Sequence, residues 1–243
     1  MVKTTGNKVV LGTAHFREAN VKVREALEHF DTVELHEVFA QRYLGCAMPE
    51  GKRLEVHGTP GNDTACYMDG GDIEVFGNAQ DQLGNTMNAG SIVVHGRCGD
   101  AAGYSMRGGT IFVRDDCGWR VGIHMKQYQD KRPVIVVGGD AGSFLGEYMA
   151  GGVIVLLGHP GEYLASGMHG GVIYLKEHLD DRDVADGLVL APADEEDKAV
   201  ISELLGEYNE HFAGELGGAV DATGEGFFAL RPASSRPYAS MYA

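Results

Sequence analysis

Between Val38 and Glu177, apolar and polar positions alternate in short bursts, and the bursts recur at a fixed interval. GGDIEVFG (Gly70–Gly77) shows one of them. In an extended chain Ile73 and Val75 fall on one side, and Asp72, Glu74 and Phe76 on the other. AGSIVVHG repeats the arrangement 19 residues later. Counting units from Gly58, Gly77, Gly96, Gly139 and Gly158 brings further columns into register. Met stands ten residues on, as Met68, Met87, Met106, Met149 and Met168. Gly stands thirteen on, as Gly71, Gly90, Gly109, Gly152 and Gly171. Ile stands fifteen on, as Ile73, Ile92, Ile111, Ile154 and Ile173, followed two later by Val75, Val94, Val113, Leu156 and Leu175.

The gap before Gly139 is itself a unit. It starts at Asp115, keeps Met125, carries five extra residues at Gln127–Lys131, and resumes the register at Ile135 and Val137. A looser copy precedes the series with Met48, Gly51, Leu54 and Val56, giving about seven units over Val38–Glu177. One unit is too short for a strand–helix–strand crossover of about 30 residues or a propeller blade of about 40. It suits one coil of an all-β, single-stranded β-helix (a β-solenoid). Stacking at ~4.8 Å per coil gives a prism roughly 35 Å long, with Ile and Val/Leu ladders inside.

GxxGxxxG recurs as Gly96, Gly99, Gly103 and as Gly139, Gly142, Gly146; Gln80 and Ala165 depart from it in two units. Sharp corners that need positive φ account for such glycines. A phosphate-cradling loop would occur once, between a strand and a helix. The Met column reads as internal packing rather than a thioether cofactor box.

The flanks look like caps. In NVKVREALEHF a short amphipathic helix is expected with Asn20 as N-cap, and TVELHEV reads as a strand beside the first coil. At the other end, Asp194–Phe212 forms a helix with acids in its first turn and one apolar face, and GFFALRP supplies a final strand. The expected division is an N-terminal α/β cap at 1–37, a β-helix at 38–178 and a helical C-terminal cap at 179–243. The caps cover edges that would otherwise pair with other chains, and they offer a route to homo-oligomers.

Composition changes this picture little. The 36 glycines are about twice the usual share, and the repeat places them. A net charge of −15 without a basic stripe argues against nucleic-acid binding. No apolar run approaches the ~18 residues of a membrane span, and MVKTTGNKVV lacks a signal-peptide core, so a cytoplasmic protein is expected. Cys46, Cys66, Cys98 and Cys117 never form a CxxC pair, which disfavours zinc or iron–sulfur ligation by this chain alone.

Catalytic motifs are scarce. GYSMRG has Arg107 where a nucleophile elbow needs glycine, and HExxH, GxxxxGK[ST] and EF-hand patterns are missing from the sequence. The column after Met is mixed: Asp69, Asn88, Arg107, Ala150, His169. Four residues into each unit stand Asn62, Asp81, Asp100, Ser143 and Glu162. Asp81 and Asp100 should stack one coil apart, a spacing open to a cation or a shared proton, although solvated surface acids explain it as well. His57 and His95 share a column but lie two coils apart, too far for one metal. No catalytic, cofactor-binding or metal-binding residue emerges on this chain.

The repeated GxxGxxxG units, each with a strand between, resemble the GXGXG-motif domain of glutamate synthase, the β-helical domain at the end of its large subunit. AQRYLGCAM (Ala40–Met48) is similar to the opening stretch of stand-alone versions, with Ala40 where glycine is common. The acidic helix and GFFALRP resemble the end of the glutamate synthase chain, so the likeness covers roughly Val38–Pro232. It implies a right-handed β-helix without catalytic residues, the separate subunit of a split complex. Such a subunit packs between a glutaminase (class II amidotransferase) subunit and a synthase subunit that carries FMN and iron–sulfur clusters. The same repeat is shared with the matching subunits of formylmethanofuran dehydrogenase and of N-methylglutamate synthase, which are the alternative assemblies. A self-sufficient β-solenoid hydrolase is a further alternative, and it would depend on the Asp81/Asp100 face.

Overall fold

The computed structural model describes residues 2–176, 179–180 and 184–234. The expected end of the repeats at Glu177 and the boundary at 178 lie outside them. Among the described residues twelve strands form one sheet: β1 (Lys3–Thr5), β2 (Lys8–Gly12), β3 (Thr32–Phe39), β4 (Arg53–Thr59), β5 (Asp69–Phe76), β6 (Ala89–Val94), β7 (Thr110–Val113), β8 (Val134–Val137), β9 (Ala150–Leu156), β10 (Gly170–Leu175), β11 (Leu188–Pro192) and β12 (Phe228–Pro232). Helix α1 (Phe16–His29) lies between β2 and β3, and α2 (Glu195–Leu216) between β11 and β12.

From β2 to β10 every neighbouring pair is parallel, each strand stacked on its equivalent in the next coil. The molecule is a β-helix. Ile73, Ile92, Ile111, Ile135, Ile154 and Ile173 are successive register partners, so the Gln127–Lys131 insertion leaves the ladder undisturbed. The insertion is taken up in a loop that Tyr128 and Lys131 close on themselves. The ladder also begins before the expected boundary at 37/38, which falls inside β3.

Residues facing the coil interior form the main core: Leu35, Val56, Val75, Val94, Val113 and Val137 are fully buried. At the N-terminal end α1 contributes Ala19, Val23 and Ala26 to this core. Its N-cap is His15, whose ring accepts the Arg17 N–H at 3.3 Å, rather than Asn20. Asn20 lies within the helix and donates to the Phe16 and Arg42 carbonyls, both at 2.8 Å, tying α1 to the first coil. At the far end β12 runs antiparallel along β10, and β11 along β12.

Helix α2 creates a second core on the outer face of the sheet. Val93, Phe112, Val136, Val155 and Tyr174 point away from the interior yet are buried with Ile201, Leu204, Leu205, Tyr208 and Phe212. This explains a change along the sequence. VELHEV, RLEVHG and DIEVF alternate, as strands with one wet face do, whereas TIFV and VIVV are apolar on both sides. The helix opens with a capping box between Asp194 and Asp197 and ends at Gly217 in the left-handed conformation. Among the described residues no helix is long and apolar enough to cross a membrane.

Candidate functional site

The glycine motif serves the stacking of coils, and its glycines do two different jobs. At Gly99 the backbone φ is not positive; the need is room. A Cβ there would stand 2.2 Å from Asp81 Oδ1, which accepts the neighbouring Asp100 N–H at 3.0 Å. Asp100 in turn accepts the Trp119 N–H at 2.8 Å, past Gly118. A second column repeats the device: Asn78 accepts from Arg97, Asp116 from Asp140, and Asp140 from His159, each past a glycine. Asp81 and Asp100 therefore stack as the sequence suggests, but as anchors for backbone amides. Each spends Oδ1 on this bond, which gives both acids a structural task in stacking the coils.

Gly103 and Gly146 do the second job, each with φ of 68°. They are flanked by residues of other types that also have positive φ, such as Ala101 and Ser105 or Phe144 and Tyr148. Corner geometry alone therefore does not demand glycine. What does is direction: a Cβ on Gly103 would lie 2.4 Å from Ile135 Cδ1, inside the core. Along this face the N–H groups of Ala101 and Ser105 donate to the next coil and that of Gly103 to the previous one, so the turns form a ladder of their own.

The Met column is interior. Met68, Met87, Met106 and Met149 are fully buried, and Met168 nearly so. Gly71, Gly109, Gly152 and Gly171, three residues after a Met, make room for the Met of the coil before, whereas Gly90 makes room for the Gly71 carbonyl; a Cβ on Gly109 would meet Met87 Cε at 2.5 Å, and one on Gly171 would meet Met149 Cε at 2.6 Å. The cysteines fall into two cross-coil pairs. Burial pushes the Cys66 thiol up, with Cys46 beside it adding to the effect. The Cys98 contact, and then burial, raise Cys117. Such thiols are packing groups rather than nucleophiles.

The outer face of β3–β5, which α2 leaves open, holds the one concentration of ligand-type side chains found among the described residues. Glu34, Glu55 and Glu74 form a column in register. Beside them the rings of His36, His57, Phe76 and His95 stack, with centroids 4.5, 4.8 and 5.0 Å apart. Phe212 of α2 ends the stack edge-on against His95 at 5.2 Å. His95 is held between Glu74, 2.9 Å from Nε2, and Glu215 of α2, which also takes the Arg114 guanidinium. Burial works against Glu215, yet His95 and Arg114 hold its carboxyl below the ordinary range. This junction fastens the last turn of α2 to the sheet.

Phe76 separates His57 from His95, as the two-coil spacing requires. The partner that the repeat register does not reveal is His36, one rung earlier. One ligand atom each from Glu34, His36 and His57 lie within 4.8 Å of one another, and His36 Nε2 is 3.2 Å from Glu34 Oε2. The hydrogen bond with His36 is the main reason the Glu34 carboxyl sits below its usual range. A signal was available in Glu-x-His occurring twice, at 34–36 and at 55–57.

The family model for the GXGXG motif matches residues 11–220, from β2 past the end of α2. The chain belongs to the GXGXG-motif family. An uncharacterized protein of Methanocaldococcus jannaschii is 48% identical over 144 residues, covering 58% of this chain and 55% of that protein. The chain thus spans about half the length of that relative. A chain in the solved formyltransferase/hydrolase complex of Methylorubrum extorquens, determined with methylofuran, is 26% identical with a TM-score of 0.61. That match covers 79% of this chain and 69% of the other. The match thus takes in α1, β11 and α2 as well as the coils, and it stops short of β12.

Proposed function

We propose that this chain is the non-catalytic β-helix subunit of a split glutamate synthase-type complex. In this reading it packs between a glutaminase-type amidotransferase subunit and an FMN- and iron–sulfur-binding synthase subunit, and both cofactors sit on the partners. The observation that carries the reading is the engagement of Asp81 and Asp100. The acids best placed for chemistry hold backbone amides of the next coil, which suits a rigid body that positions other subunits. GXGXG membership supports the same conclusion. A second reading is a subunit of a formylmethanofuran dehydrogenase-type assembly, favoured by the likeness to a chain of the formyltransferase/hydrolase complex.

Deleting the chain from its source cells and restoring it tests both. Loss of glutamine-dependent glutamate formation, regained with the wild-type chain and with Asp81→Asn, supports the first reading. Loss of formyl transfer instead supports the second. Ester or polysaccharide hydrolysis by the purified chain, lost in Asp81→Asn, overturns both.

A further inference from the structure

We propose that Glu34, His36 and His57 form a surface site for one divalent transition-metal ion of the zinc class. The site is built by the repeat itself. Glu-Leu-His on β3 and Glu-Val-His on β4 lie on adjacent parallel rungs, with Glu34 and Glu55 as register partners and His36 stacked over His57. Every second residue faces outward, so a two-by-two patch of carboxylates and imidazoles meets solvent. The ladder register shifts between Leu35 and Val38, with Glu37 at φ 52°, immediately after His36. Such irregularities re-aim side chains beside functional sites.

The donor set fits the metal class. Two imidazole nitrogens and a carboxylate oxygen suit zinc, copper, nickel or cobalt, whereas calcium and magnesium prefer all-oxygen shells. Ligand atoms around a tetrahedral ion with ~2.0–2.1 Å bonds stand roughly 3.4 Å apart. The three atoms lie within 4.8 Å of one another, so side-chain rotation can bring them to that spacing. The His36 and Glu34 side chains are 27% and 38% exposed, which leaves room for that rotation. Glu55 stands next to them as a further oxygen donor. It is held by Arg53 at 3.3 Å, and Arg53 also pairs with Glu74, so Glu55 can turn without stranding the guanidinium. Lys8 is the cation opposite Glu34 on β2, and it competes with an ion for that carboxylate.

Calorimetric titration of zinc chloride into the purified chain, kept reduced, tests the site. One equivalent should bind. His36→Gln and His57→Gln should each weaken that binding by about tenfold or more, since even outer-shell losses cost 10–100-fold. Glu34→Gln should weaken it as well. His95→Gln, in the same column but beyond Phe76, should leave it unchanged. Circular dichroism confirms that each variant keeps its fold. Wild-type chain that takes up no zinc overturns the proposal. So does wild-type affinity in both His36→Gln and His57→Gln, which would assign the ion to another place such as Cys46 and Cys66.

Discussion

Asp81 reaches across one coil to accept the Asp100 N–H, and the absence of a side chain on Gly99 leaves its carboxylate the space to do so. This pairing of an acid with a glycine, repeated along two columns, fixes the spacing of the coils outside the β-sheet. It gives these acids a structural task in the scaffold.

Gly99→Ala should therefore destabilise the protein although its φ is ordinary. Its Cβ would sit 2.2 Å from Asp81 Oδ1 and 2.9 Å from the Asp81 backbone N. A loss of about 2–3 kcal/mol is expected from such overpacking. Asp81→Ala alone should cost about 1 kcal/mol, the worth of one hydrogen bond. In urea unfolding the double variant should lose less than the sum of the two, because the alanine then meets no side-chain oxygen.

The Met column makes a separate prediction. Met87→Ala empties a fully buried position against Gly109 and should cost about 2–5 kcal/mol, whereas Met87→Leu should cost less than about 1.5. Thermal unfolding of the two variants checks this. Equal losses would mean that the thioether itself matters, contrary to a packing role.

Docking of α2 should depend on acid pH. Burial raises the Asp197 carboxyl, but Arg231, the Tyr174 hydroxyl at 2.7 Å and the Asp194 N–H together hold it below the ordinary value. A depressed folded pKa stabilises above the unfolded value of about 3.9 and loses that stabilisation as pH falls through the folded value. Arg231 is 43% exposed, so solvent screening limits the contribution to about 1–2 kcal/mol. Protection of α2 amides, relative to intrinsic exchange at each pH, should thus fall below about pH 4, and Asp197→Asn should lower it at neutral pH. Unchanged α2 protection from pH 6 to pH 3 would contradict this account of the helix.

Much of the fold was legible because the repeat places chemically distinctive residues, Met, Gly and Ile, at fixed offsets. The last strand and the C-terminal helix were legible too, from an apolar face and acids at the helix start. Three things were not. His15 caps α1 through its ring, a role that residue type alone does not announce, and Asn20 was the more familiar candidate. Glycine says that a Cβ is unwelcome but not why, so Gly99 and Gly103 look alike in sequence while one avoids a carboxylate and the other an isoleucine. The paired Glu-x-His rungs were hidden because the connection from β3 to β4 is longer than the repeat. The first rung therefore falls outside the register that aligns His57 with His95.

The measurement closest to the central claim is purification from the source cells through a tag on this chain, followed by an absorbance spectrum and peptide identification. The account predicts co-purification with an amidotransferase-type partner and with flavin and iron–sulfur absorbance that belongs to a second partner. A colourless chain recovered alone under native conditions would contradict it.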